Sequence, residues 1–187
     1  KGVVIKKCSV QDLPIFFELY RQTAERDKFI IRSQDYYSSV WTTMLQSAKA
    51  IALIARIEDE PIAGIILFKF GYKCWFFYGM SSSKHREKMP NYLLQWHAIS
   101  AAKEAGCAIY DLWGAPDLDD ANDRLWGVYR FKEGFNGIYY KTIGAWDYII
   151  NPVIYYMYKK VLPYFLGILK AFRNKRATMF EMTNNES

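Results

Sequence analysis

Lys132 and its neighbour Phe131 are the pair whose types and placement most readily do chemistry. They lie in Leu125–Gly137, LWGVYRFKEGFNG. Leu125, Val128, Tyr129 and Lys132 follow i, i+3, i+4, i+7 spacing, so an apolar helical face ends in a lysine. Gly134 is placed to stop that helix in a left-handed conformation, with Phe135 folding back on it. Asp119 and Asp120, just upstream, are placed to cap its start. An ammonium held at such a turn is suited to stabilising a negative charge that develops beside it. The plainer reading is a lysine that complements a helix C-terminus and an aromatic that fills the core, and on spacing alone it is the commoner outcome.

Other polar residues offer less. Arg32 stands immediately before Ser33, a helix cap, where an arginine suits a phosphate as well as it suits open solvent. Lys84, Arg86 and Lys88 lie in the polar loop Ser81–Met89 ahead of a helix that opens at Pro90; they suit RNA phosphates or a solvated loop equally. That loop holds no glycine, which counts against an acyl-CoA pyrophosphate cradled at a helix N-terminus. Asp111 reads as structural rather than as a general base. His85 and His97 are the two histidines, and His97, on a largely apolar helix, reads as a satisfied core residue. No nucleophile–histidine order, metal-ligand spacing or G-x-x-x-x-G-K-[ST] loop is present, which argues against a hydrolase, a metalloenzyme and a nucleotide hydrolase.

Three ordered pieces resemble the FemABX aminoacyltransferases. Tyr129-Arg130-Phe131-Lys132-x-Gly134-Phe135-x-Gly137 is similar to the motif near the C-terminal end of their second domain. The run Asn91-Tyr92-Leu93-Leu94-Gln95-Trp96, with Ile99 and Gly106, agrees, as does Tyr110-Asp111-Leu112-Trp113-Gly114. Together they span most of residues 1–150. The resemblance implies transfer of an amino acid from aminoacyl-tRNA to an amine of a peptidoglycan precursor, nucleotide- or lipid-linked, with no cofactor and no dedicated protein base. It implies that Phe131 and Lys132 engage the aminoacylated end of the tRNA, with Phe131 stacking on the terminal adenine. It implies that Arg32, with Tyr36 four residues on, holds the precursor's diphosphate, and that Tyr78 borders the cleft, where a core tyrosine is the competing reading. Family members carry two such domains in tandem, so an N-terminal GNAT-like domain is expected elsewhere. Gly144-Ala145-Trp146-Asp147 departs from members that place a glutamate after the glycine.

The totals fit one globular domain. The chain has 187 residues, 51% apolar and 24% charged, and a formal charge of +6. This excludes disorder and is compatible with an anionic partner. Three cysteines, Cys8, Cys74 and Cys107, form no framework or zinc spacing and suit a reducing compartment. No secretory h-region opens the chain, so a cytoplasmic site at or near the inner membrane face is expected.

These residues need elements to position them. Strands are expected at Val3–Ser9, Ala50–Ile57, Ile62–Phe70, Lys73–Met80, Ala108–Trp113 and Gly137–Ile143. Helices are expected after Asp12, after Ser33, from Pro90 to Ala105 with Tyr92, Trp96, Ile99 and Ala102 on one face, and over the LWGVYRFK run. That order is that of the GNAT acyltransferase fold, an α/β mixed sheet with helices on both faces, in which two parallel strands splay around the acyl donor. The expected boundaries are a GNAT-like domain over 1–150, a helical extension over 151–173 and a polar tail over 174–187. Tyr148–Phe172 is aromatic and apolar but broken by Lys159, Lys160 and Pro163. It packs on the domain or lies on a membrane with Lys170, Arg173, Lys175 and Arg176 toward headgroups. The competing functions are a GNAT N-acyltransferase using acyl-CoA or another donor, and a non-catalytic RNA- or membrane-binding module.

Overall fold

The computed structural model describes residues 2–118, 120, 122–123 and 125–168. The chain forms two compact units, Lys1–Tyr139 and Tyr140–Ser187. In the first, five strands form one mixed sheet in the order β1-β2-β3-β4-β5: β1 Val3–Cys8, β2 Ala50–Ile57, β3 Glu60–Phe70, β4 Lys73–Ser81 and β5 Ile109–Asp111. The first four are antiparallel neighbours. β5 runs parallel to β4 and pairs with it only at Lys73, Cys74 and Trp75. Beyond Trp75 the two strands part, and the rest of β4 lines a wedge. This is the GNAT-like α/β architecture, with its splayed strands.

β2 reads AIALIA without alternation because helices cover both sheet faces. On one face α3 (Pro90–Glu104) sets Leu94, Ala98 and Ala102 against Leu53, Ala55, Ile65, Leu67 and Cys74. On the other, α1 (Leu13–Asp27) and α2 (Gln34–Gln46) set Phe16, Leu19, Tyr37 and Trp41 against Ala52, Ile54, Ile66 and Met80. Pro14 sits in the first turn of α1, as its missing N–H requires. Ser33 Oγ accepts the Tyr36 N–H and starts α2. The end of β4 is tied to α1: Thr23 Oγ1 accepts the Ser81 N–H at 2.9 Å, and Arg26 Nη1 donates to the Ser81 carbonyl at 2.8 Å.

Several expectations need correction. The buried face of α3 is Leu94, Gln95, Ala98 and Ala102, not the one through Tyr92 and Trp96, and Trp96 and His97 are exposed. Small alanines let the helix approach the sheet, and Gln95 is accommodated by donating to the Tyr110 hydroxyl at 2.6 Å. α4 (Trp126–Glu133) follows Leu125 and has no side-chain cap; Asp123 Oδ1 accepts the Leu125 N–H at 2.8 Å in the turn before it, Asp120 accepts from Asn122, and Asp119 lies outside the described residues. Gly134 is right-handed, and the left-handed residue is Asn136, at φ 55°. The run Gly137–Ile143 is not a strand. Ile138 is 95% exposed and Ile143 88%, and among the described residues no strand pairs with this run; β-propensity without a partner forms no sheet.

In the second unit Asn151 Oδ1 accepts from Val153 and Ile154 and starts α5 (Pro152–Tyr156). A π-turn over Met157–Val161 follows, and residues 162–168 are helical. Pro163 therefore does not break the helix; the widened turn just before it takes up the missing N–H. Lys170, Arg173, Lys175 and Arg176, and the tail 174–187, lie outside the described residues.

Candidate functional site

Lys132 is the one buried residue of α4, at 9% exposure. Its Nζ donates to the Gly114 carbonyl at 2.5 Å and lies 6.0 Å from the centre of the Phe76 ring. Phe76 is the first residue of β4 beyond its pairing with β5, and Gly114 lies three residues past β5. The ammonium therefore stands where the parallel strands separate. Burial pulls its pKa below the usual lysine value, and the Asp111 carboxylate opposes that pull. A desolvated ammonium whose bonded partner is a neutral carbonyl has a strong unspent field for a developing negative charge.

Phe131, the preceding residue, is half-buried. Its ring meets Tyr92 edge-on at 4.9 Å and Phe135 at 5.4 Å, so it clamps α4 onto α3. Tyr92 also lines a shallow cavity of about 420 Å³ together with Val3, Lys88, Met89 and Leu93, which brings Lys88 close to the Phe131 cluster. Lys84 turns away to Glu60, its Nζ 2.8 Å from the carboxylate, which lowers the Glu60 pKa. Arg86 and Lys88 lie in a 3-10 turn, Arg86–Lys88, between left-handed His85 and Met89. This turn feeds straight into Pro90, which has no N–H to offer, and Tyr92 N–H donates to the Met89 carbonyl. The backbone at the start of α3 is thus poorly suited to cradling a pyrophosphate.

The other candidates gather on the α1/α2 side. The Arg32 guanidinium lies over the Tyr36 ring, 4.7 Å from its centre, and the Arg32 N–H donates to the Tyr37 hydroxyl. Tyr36 meets Tyr37 at 5.3 Å, Tyr37 meets Tyr78 at 5.9 Å, Tyr78 meets Phe77 at 5.1 Å, and Phe77 meets Trp113 at 4.9 Å. One unbroken run of rings thus links Arg32 to Trp113, next to the carbonyl that holds Lys132. Burial and the neighbouring tyrosines raise the Tyr78 pKa. A β-bulge between Ile66 and Leu67 leaves Phe77 unpaired in the β3–β4 register, which turns Phe76 to the α3 face and Tyr78 to the other.

Sequence reasoning missed Phe76, Phe77 and Trp113, which line the wedge. They sit in an aromatic-rich strand and a Trp-Gly turn, and only the end of β4–β5 pairing marks them out. Asp111 is found as a structural residue: its Oδ2 is 2.7 Å from Lys73 Nζ, and its Oδ1 accepts the Trp113 N–H at 2.7 Å. Among the described residues no group of three His, Cys, Asp or Glu is arranged to hold a metal ion, and no helix is long and apolar enough to cross a membrane.

A family model described as the FemAB family matches residues 1–58 and 45–162. Lipid II:glycine glycyltransferase of Staphylococcus aureus is 30% identical over 229 residues, covering 87% of this chain and 54% of that protein. The protein of the same name from Staphylococcus epidermidis is 20% identical over 224 residues, with the same coverage. The chain thus spans about half the length of the relatives it matches. Among solved structures, a crystal structure of FemX superposes with a TM-score of 0.74 at 19% identity, covering 84% of this chain and 56% of that one. An aminoglycoside acetyltransferase from an uncultured soil metagenomic sample, solved with sisomicin, gives 0.59 at 14% identity, over 80% of this chain and 97% of that one. These likenesses establish the fold.

Proposed function

We propose that this chain, which belongs to the FemAB family, supplies the GNAT-like part of an aminoacyl transfer onto a peptidoglycan precursor. Its relatives are named for glycine transfer to lipid II. In the reaction a precursor amine attacks the ester carbonyl of an aminoacyl-tRNA. A C–N bond forms, the ester C–O bond breaks, and the amine's proton leaves with the ribose oxygen. Lys132 stabilises the oxyanion between those events. The observation that carries the reading is its buried ammonium at the strand divergence, bonded to a carbonyl rather than paired to a carboxylate.

Phe131 belongs to the donor side, where its ring fixes the helix that carries the lysine. Arg86 and Lys88 are the loop cations best placed for RNA phosphates. Lys84 joins them only by leaving Glu60. Arg32, Tyr36 and Tyr78 form the acceptor side, with Arg32 meeting the precursor's diphosphate and the two tyrosines flanking it. A companion GNAT-like domain completes the acceptor site, and the reaction runs at the cytoplasmic membrane face, where a lipid-linked acceptor resides. The second unit, with apolar side chains exposed along 152–168, is proposed as a peripheral membrane contact.

The test is binding of an aminoacyl-tRNA acceptor-end analogue to the chain and to Lys132→Met at fixed salt. Loss in the variant supports the donor site. Equal, strongly salt-sensitive binding by both proteins indicates a general RNA-binding module instead.

A further inference from the structure

We propose that Asp111 is the positioning residue for Lys132: its carboxylate holds the Trp113–Gly114 turn so that the Gly114 carbonyl meets the lysine's ammonium. The inference rests on the reading of Lys132 as the functional lysine. Asp111 is the last residue of β5, where pairing with β4 ends. One carboxylate oxygen is fixed by Lys73, 2.7 Å away on the neighbouring strand, and the other accepts the Trp113 N–H at 2.7 Å. This is the reach of an aspartate to the backbone two residues on, a local turn that its short side chain favours.

The turn needs such an anchor. Trp113 stands at φ +62°, a region that bulky side chains avoid. Its side chain is 54% exposed and touches Phe77 on one side, so packing alone holds it weakly. Gly114 follows, and its carbonyl is the hydrogen-bond acceptor for Lys132 Nζ across 18 positions of chain. Thus the chain of constraint runs from Lys73 through Asp111 and a strained backbone to the buried ammonium. The same carboxylate charge opposes, as the smaller effect, the downward pull of burial on the Lys132 pKa. Strain of this kind persists where surrounding structure over-determines it, and such places are commonly functional.

The test reads the environment of Lys132 without requiring transfer. The full chain is labelled with an N-hydroxysuccinimide acetate, and each lysine is quantified by mass spectrometry, with exposed Lys6 and Lys7 as internal references. In the parent protein Lys132 labels far more slowly than the references. D111A is expected to raise its relative rate about tenfold, the factor that corresponds to about 1.4 kcal/mol. D111N, which keeps an oxygen acceptor for the Trp113 N–H, is expected to stay within about threefold of the parent, half that free-energy scale. Equal protection in D111A and parent overturns the proposal. If D111A unfolds, all lysines label alike, and D111A/W113G decides, because glycine adopts φ +62° without an anchor. Protection of Lys132 in that double variant supports the turn mechanism, and exposure overturns it. A failure of the donor-binding experiment with D111A still exposing Lys132 would leave the positioning intact and remove only the functional reading.

Discussion

Gly79→Ala tests the packing beneath Lys132. Gly79 lies on β4 three residues after Phe76, on the far side of the bulge at Phe77. A Cβ on Gly79 would stand 2.6 Å from the tip of the Phe76 ring and 2.9 Å from the next ring carbon, closer than real side chains approach. The backbone is not the obstacle, since Gly79 has no left-handed φ. The ring must therefore rotate, and it is the ring that lies beside the Lys132 ammonium. Overpacking of this kind costs about 1–3 kcal/mol. At about 3 °C per kcal/mol, that is a fall of roughly 3–9 °C in Tm. The assay is thermal unfolding of the parent, G79A, F76A and F76A/G79A. Because truncating the ring removes the clash, the double variant should be no less stable than F76A. A G79A protein with unchanged Tm, or one whose cost adds fully to that of F76A, would refute the placement of Phe76 over Gly79.

Lys132→Met should stabilise the protein at neutral pH by about 0.5–2 kcal/mol, since a functional residue traded for an apolar isostere commonly does. The sign follows from its lowered pKa. Between that value and the ordinary lysine value the unfolded chain binds the extra proton, so the parent gains stability as pH rises through this window. The advantage of K132M should therefore shrink toward strongly alkaline pH in denaturant titrations, and an advantage independent of pH would contradict the burial of charge. Thr23→Val should cost about 1–3 kcal/mol, because it strips the buried acceptor from the Ser81 N–H. Chemical denaturation measures this, and a neutral result would mean that the α1–β4 tie carries no weight.

Much of the sheet was legible because burial on both faces writes itself into β2 and β3 as uninterrupted apolar runs. Pro14 and Ser33 marked the helix starts for local reasons that tertiary structure does not override. The buried face of α3 was not legible: Tyr92 and Trp96 are the more apolar residues, yet close approach to the sheet selects the small alanines and a partnered Gln95. The strand expected at Gly137–Ile143 failed because alternation predicts a strand only where a neighbour exists to pair with it. Lys132 stood out by its position at the end of an apolar face. Its partners did not, since Gly114 contributes a carbonyl and Phe76 a ring edge, and neither leaves a sequence pattern.

Binding of a hydrolysis-resistant, amide-linked aminoacyl end of an RNA hairpin, compared between the parent and Lys132→Met at one salt concentration, tests the central claim most directly. A hydrogen bond from a charged donor contributes about 1.5–3 kcal/mol, so its loss should weaken binding roughly 10–150-fold. A deacylated hairpin should bind both proteins alike. That pattern is the predicted result. Equal affinity of parent and variant for the aminoacylated end, or no binding by either, would contradict the assignment of Lys132 to the donor site.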